Sequence, residues 1–262
     1  MKNNHTKDQT KPSYLKGNID NWTERSEAQK SSILRRWEME PCWGMWKTPD
    51  KGLDLLPSEM TGLHALEIGC GTGYVSSWMA QKGANVTGID PTAVQIETAR
   101  EMSEKHNLKI NFLEAYGENL PFEDASFDFA ISEYGSSLWS DPYLWLPEAS
   151  RVIRKGGKLV FLTNSIFFTL TCPDLEDGGP PGYELLRPYQ GIHKVKWPDT
   201  PEETEFHLTH GKWIELLNSK GFRIDALHEL SALPNANGSY DIVTKEWASK
   251  YPAEEIWVCT RI

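Results

Sequence analysis

Short apolar runs alternate with amphipathic stretches along the middle of this chain. "HALEIG" (64–69) reads as a buried strand. Residues 74–82 follow with Val75, Trp78 and Met79 at helical spacing and Gly83 as the stop. "NVTGID" (85–90) is a second strand, after which Asp90 as N-cap and Pro91 as first helical residue open a helix. "LKINFL" alternates as a third strand, and "FDFAIS" is a fourth. Asp141 and Pro142 repeat the cap signature before a helix carrying Leu144, Ala149, Val152 and Ile153, and Gly156–Gly157 turn into a fifth strand, "KLVFLT". Later come a helix over 209–220 stopped by Gly221, the strand "FRIDALHEL", a short helix near 244–250 and a final strand, "EEIWVCTRI". Such alternation predicts an α/β fold: a doubly wound, mostly parallel sheet with helices on both faces and right-handed crossovers.

Two stretches break the rhythm. Residues 1–20 are polar and read as a flexible tail; 22–40 are helical, with Ile33, Leu34 and Trp37 on one stripe, and "EPCWGMWKTPD" (40–50) is a turn. The second break is 165–208, rich in Pro, Gly, acidic and aromatic residues without a period. A gap of that length in a compact domain reads as a functional insert. The expected organisation is therefore a single domain over 21–262. Residues 21–50 would form an N-terminal cap whose Trp43 and Trp46 close over a ligand or pack in the core. Residues 165–208 would form a lid, with Gly178, Gly179, Pro180, Pro181 and Gly182 supplying hinges and rigid turns.

Composition narrows the function classes. The chain has 262 residues, 39% hydrophobic, enough for one domain with a sizeable core. A net charge of -10 without a basic stripe argues against a nucleic-acid partner. Cys42, Cys70, Cys172 and Cys259 form no CxxC pair and no zinc spacing, so no metal site is expected, and reduced thiols fit a cytoplasmic protein. The N-terminus lacks the apolar stretch of a secretory signal, and "LVFLTNSIFFTL" (159–170) is too short and interrupted to span a bilayer.

The chemistry concentrates in "LEIGCGTGYVSSW" (66–78). Gly69, Gly71 and Gly73 follow G-x-G-x-G, whereas the dinucleotide fingerprint wants a glycine where Tyr74 stands. Glu67, two residues before the first glycine, would repel a pyrophosphate and suit a cationic ligand. Asp90, ending the second strand, can accept hydrogen bonds from ribose hydroxyls. A ribose-bearing, phosphate-free, cationic ligand is S-adenosylmethionine. The runner-up cofactor, NAD, is opposed by Glu67 and Tyr74.

"LEIGCGTGYVSSWMA", "VTGIDPTAVQIETAR", "GENLPFEDASFDFAIS" and "LPEASRVIRKGGKLVFL" resemble, in order and spacing, the successive motifs of class I S-adenosylmethionine-dependent methyltransferases. The likeness is to the small-molecule group related to the ubiquinone and menaquinone C-methyltransferases. It implies a seven-stranded sheet with one antiparallel edge strand. It also implies cofactor contacts at Glu67, Gly69, Cys70, Gly71 and Gly73, ribose contacts at Asp90, and Pro91 and Gln95 near the adenine. In the family's adenine segment Tyr116 replaces the usual Asp, so Tyr116 stacks on the base or Glu118 takes the carboxylate's role beside Gly117. Ser132 matches a position at the methionine end.

The resemblance implies methyl transfer to a small-molecule acceptor by in-line displacement, driven mainly by positioning. A non-catalytic cofactor sensor or partner subunit is the alternative of another class, and an NAD-dependent oxidoreductase is a further one. Glu133, Tyr134, His193 and His210 are the candidate bases for an acceptor that must lose a proton. Asp128, at the far end of the fourth strand, reads as structural. The loop after that strand lacks the Asn/Asp-Pro-Pro-aromatic sequence of amino-methylating nucleic-acid enzymes.

Overall fold

The computed structural model describes residues 11–174, 179–198, 200–233 and 242–262, and of 27–33 the backbone alone. The side chain of Ile33, the hinge residue Gly178 and residues 1–10 of the expected tail lie outside the described residues. We label the elements α1 (Leu15–Leu34), β1 (His64–Ile68), α2 (Tyr74–Gln81), β2 (Asn85–Asp90), α3 (Ala93–Lys105), β3 (Ile110–Glu114) and β4 (Phe127–Glu133). There follow α4 (Pro142–Val152), β5 (Ile153–Asn164), α5 (Ile166–Thr171), α6 (His210–Ser219), β6 (Phe222–Leu230) and β7 (Glu254–Arg261).

The seven strands form one sheet in the order β6-β7-β5-β4-β1-β2-β3. β1 to β5 run parallel, while β7 lies antiparallel between β5 and β6. The order reverses direction between β1 and β4, so the loops after these strands splay to opposite faces and leave a crevice at their C-terminal ends. Both faces are covered. Trp145, Phe161, Trp213 and Trp257 fill one side, and Trp43, Met60, Trp78 and Met79 the other.

Two expectations change, and one pair of alternatives is decided. The N-terminal helix starts at Leu15 rather than Trp22, and Leu15 is buried, so the tail cannot extend to residue 20. Gly17, which hid this start, is held by contact: a Cβ there would lie 2.1 Å from the Glu202 carbonyl oxygen. The helix tightens into a 3-10 turn over Arg35–Glu38. Second, the N-cap of α3 is Thr92, not Asp90. The Asp90 carboxylate instead accepts the Thr92 N–H at 2.9 Å from outside the helix. Asp141 caps α4 as expected, accepting from the Tyr143 N–H at 3.0 Å. Third, Trp43 and Trp46 are buried core residues. Trp43 packs edge-on against Trp78, with ring centroids 5.7 Å apart. Between β5 and α6, residues 165–208 contain α5 and a small ladder pairing Lys194–Val195 with Glu205–Phe206.

Among the described residues no helix is long and apolar enough to cross a membrane, and no group of three or more His, Cys, Asp or Glu could hold a metal ion. Asp128 accepts the His64 N–H and pairs with Arg154, a brace at the N-terminal end of the sheet.

Candidate active site

A cavity of about 530 Å³ opens in the crevice at the C-terminal ends of β1 to β4. One half is walled by the glycine loop and the ends of β2 and β3. The other half runs out beneath α1 and the segment 164–205.

The glycine loop is shaped by contacts that only glycine permits. Gly69, at φ +80°, lies so close to the turn after β4 that a Cβ would sit 2.5 Å from the Gly135 Cα. Its N–H and that of Cys70 both donate to the Ile89 carbonyl at 2.8 Å, which fastens the loop to β2. Gly71, at φ +50°, has only the Gln95 side chain within 4.0 Å of such a Cβ. At the end of β1, Glu67 is 2% exposed. One of its oxygens accepts the Ser76 N–H at 2.7 Å and the Ser76 hydroxyl at 2.5 Å. Burial pushes its carboxyl up to about 8. Asp90 accepts the Gly71 N–H at 2.9 Å on one oxygen and the Thr92 N–H at 2.9 Å on the other. The Thr92 side chain also bonds this carboxylate, and acceptor capacity remains on it for a ligand.

Nine of the expected cofactor residues line this cavity: Glu67, Gly69, Cys70, Gly71, Asp90, Pro91, Gln95, Tyr116 and Gly117. Three do not. Gly73 packs α2 against the sheet, for a Cβ there would lie 2.6 Å from the Phe112 ring. Ser132 is fully buried, its hydroxyl donating to the Ile68 carbonyl at 2.7 Å and accepting the Ser137 N–H at 3.1 Å. Glu118 turns away from the cavity to accept the Tyr14 hydroxyl and the Asp141 N–H. Of Tyr116 and Glu118, Tyr116 is the one that lines the cavity.

The four candidate bases divide in the same way. Glu133 and Tyr134 line the cavity. His193 is tied to Asp141 at 3.1 Å and His210 to Glu255 at 2.8 Å, both outside the wall. The Glu255 bond raises the His210 pKa. Glu133 accepts the Gly44 N–H at 3.0 Å and the Tyr74 hydroxyl, with the Arg36 guanidinium at 3.7 Å. Arg36 also sits over the Tyr74 ring. Tyr134 donates its hydroxyl to Glu254.

Sequence reasoning expected an N-terminal cap over 21–50 and missed its first turns. Leu15, Asn18, Ile19, Trp22 and Arg25 recur every three or four residues on one face of α1 and line the cavity. The Asn18 side chain donates to the Trp139 and Thr204 carbonyls and accepts the Thr204 N–H at 2.8 Å, while Arg25 pairs with Glu203 at 3.1 Å. The i, i+4, i+7 spacing of Leu15, Ile19 and Trp22 was the available signal. Arg36, Glu203 and Glu205 carry no motif; only tertiary structure brings them to the cavity, and Glu254 lies behind Tyr134.

A parallel sheet with a glycine-lined crevice at its reversal point and carboxylates ending β1 and β2 defines a nucleoside-cofactor protein of the doubly wound class. Residues 66–161 match the family model described as a methyltransferase domain. A ubiquinone biosynthesis O-methyltransferase from Maricaulis maris is 33% identical over 103 residues, 39% of this chain and 41% of that one. One from Dinoroseobacter shibae is 27% identical over 191 residues, 72% and 74% of the two chains. Among solved structures, an S-adenosylmethionine-dependent methyltransferase from Mesorhizobium loti superposes with a TM-score of 0.62 at 22% identity, covering 80% of this chain and 95% of that one. The chain spans 41%, 42% and 38% of the length of the first curated relatives it matches. Over residues 66–161 the chain is thus similar to a methyltransferase domain, and its fold is that of solved S-adenosylmethionine-dependent methyltransferases.

Proposed function

We propose that the protein binds S-adenosylmethionine in the inner half of the cavity and transfers its methyl group to a small molecule held in the outer half. The carrying observation is charge. Glu67, Asp90 and Glu133 line the inner half against one guanidinium, Arg36. Such a wall lacks positive charge, and a sulfonium with an ammonium group supplies it, whereas a pyrophosphate worsens the imbalance. Asp90 has acceptor capacity for ribose hydroxyls, Pro91 and Tyr116 flank the position of the base, and the Gly71 backbone offers a close approach. The bound cofactor supplies an activated methyl on a good leaving group; the protein's share is alignment and exclusion of water.

The acceptor side is walled by Leu15, Trp22, Leu138, Phe168 and Trp197, with Asn18, Arg25, Glu203 and Glu205 among them. Its concave, enclosed shape fits a small molecule rather than a nucleic acid, and the names of the relatives support a small acceptor. The domain assignment follows: residues 15–262 as one methyltransferase domain, with α1 and 165–208 as its cover. Titration with S-adenosylmethionine, S-adenosylhomocysteine and NAD, joined to a screen of small acceptors for release of S-adenosylhomocysteine, tests the reading. Binding of NAD without either adenosyl compound contradicts it. Binding without turnover on any acceptor favours the sensor alternative.

A further inference from the structure

Resting on that reading, we propose that Tyr134 and Glu254 form a proton relay that makes the protein a methyltransferase for hydroxyl acceptors. Tyr134 is the residue that touches the acceptor, and Glu254 the positioning residue that receives the proton.

The geometry is unusual in three respects. Tyr134, the residue after β4, lies in the left-handed region at φ +51°, a strained conformation for a bulky residue. It lines the cavity and donates its hydroxyl inward to Glu254 of β7. Glu254 is fully buried; one oxygen accepts from Tyr134 and from the Met45 N–H at 2.8 Å, and the other has no hydrogen-bond partner. The loop closes over it at Gly44, where a Cβ would come within 2.1 Å of the carboxylate. A buried carboxylate with an unspent oxygen is costly as a purely structural element.

The neighbouring pair shows the contrast. Tyr74 donates to Glu133 just as Tyr134 donates to Glu254, and consecutive amides, Gly44 and Met45, serve the two carboxylates. Glu133 has Arg36 at 3.7 Å to hold its charge. Around Glu254 the charged and titratable groups are Glu133, Tyr134 and the more distant Arg36, and burial lifts its carboxyl to about 7. Burial thus places Glu254 to gain and lose a proton near neutrality.

The step balances. The acceptor oxygen forms a bond to the methyl carbon as the carbon–sulfur bond breaks, its electron pair going to sulfur. The acceptor's proton passes to the Tyr134 oxygen, and the Tyr134 proton passes to Glu254. The carboxylate ends neutral and gives the proton to solvent after product leaves.

The test uses 4-methoxyphenol, un-ionised at neutral pH, and 4-nitrophenol, assayed at pH 8.5 where it is already ionised, with the full chain and its Tyr134→Phe and Glu254→Gln variants. Glutamine keeps the oxygen that Met45 and Tyr134 bond. We expect the variants to lose about a hundredfold in rate on 4-methoxyphenol, within the range of general-base catalysis. On ionised 4-nitrophenol they should lose about threefold or less. In the complex with S-adenosylhomocysteine, Glu254→Gln should bind 4-nitrophenolate several-fold more tightly, because a like charge is gone. Equal losses on both phenols, no loss, no methylation of either phenol, or a fall in S-adenosylhomocysteine affinity matching the fall in rate overturns the relay. Failure of S-adenosylhomocysteine to bind the unmodified protein, measured first, overturns the functional reading and the relay with it.

Discussion

Glu67→Gln is the perturbation that isolates the charge argument. Glutamine retains an oxygen for the Ser76 N–H and hydroxyl, at 2.7 and 2.5 Å, so the strand end keeps its anchor. What is lost is the charge. With its carboxyl at about 8, Glu67 in the free protein is largely protonated at pH 7, and ionising it there costs about 1.4 kcal/mol. A cationic ligand stabilises only the ionised form, so wild-type affinity should climb with pH until about 8 and then level. A charged hydrogen-bond partner contributes ~1.5–3 kcal/mol, so above pH 8 the variant should bind S-adenosylmethionine roughly tenfold to a hundredfold more weakly. At pH 6.5 most of that difference vanishes, because the wild type must first release its proton. The ratio of the two dissociation constants should therefore grow roughly sixfold to twentyfold between pH 6.5 and 8.5. Calorimetry at both pH values gives the ratio, and the ligand's own titration cancels in the comparison. In two buffers of different ionisation enthalpy at pH 7, the wild type should release roughly 0.5 to 0.8 proton more than the variant. A ratio independent of pH, with equal proton release, refutes the assignment of Glu67 as the counter-charge.

Three further outcomes follow from the same geometry. Asp90→Ala should weaken S-adenosylhomocysteine binding more than tenfold in a titration, since hydrogen bonds to a carboxylate are lost; an unchanged constant in a folded variant means the ribose lies elsewhere. Gly69→Ala should lower the midpoint of thermal unfolding by several degrees, because its Cβ would lie 2.5 Å from the Gly135 Cα at φ +80°, and an unchanged midpoint contradicts the close approach. Amide hydrogen exchange with and without S-adenosylhomocysteine and a bound phenol should show added protection in α1 and in 200–208 as well as in the glycine loop. Protection confined to the glycine loop contradicts the covering role of these segments.

The sheet was legible because each of its elements carries a local signal. Strands β1 to β4 are apolar runs bounded by glycine, Asp-Pro or Asn, and FRIDALHEL matches β6 residue for residue, whereas β5 extends back through Gly156 and Gly157 to Ile153, a residue expected in the preceding helix. The cofactor side was legible for the same reason: Glu67, the first two glycines and Asp90 lie on consecutive strand ends. What stayed hidden was set by contact. Gly73 looks like its two neighbours but answers to Phe112, and Glu118 is claimed by Tyr14 from a helix that begins where Pro12 and Gly17 suggest a loop. Thr92 takes the cap expected of Asp90 because the β2 end holds that carboxylate against Gly71. Glu254, 120 residues beyond Tyr134, has no motif to announce it.

The most direct test of the central claim is a crystal structure of the protein grown with S-adenosylhomocysteine. The account predicts the product in the inner half of the cavity, its ribose hydroxyls on Asp90, its adenine between Pro91 and Tyr116, its amino group toward Glu67, and its sulfur facing the chamber lined by Tyr134. Product bound outside this cavity, or a cavity left without it at saturating concentration, contradicts the account.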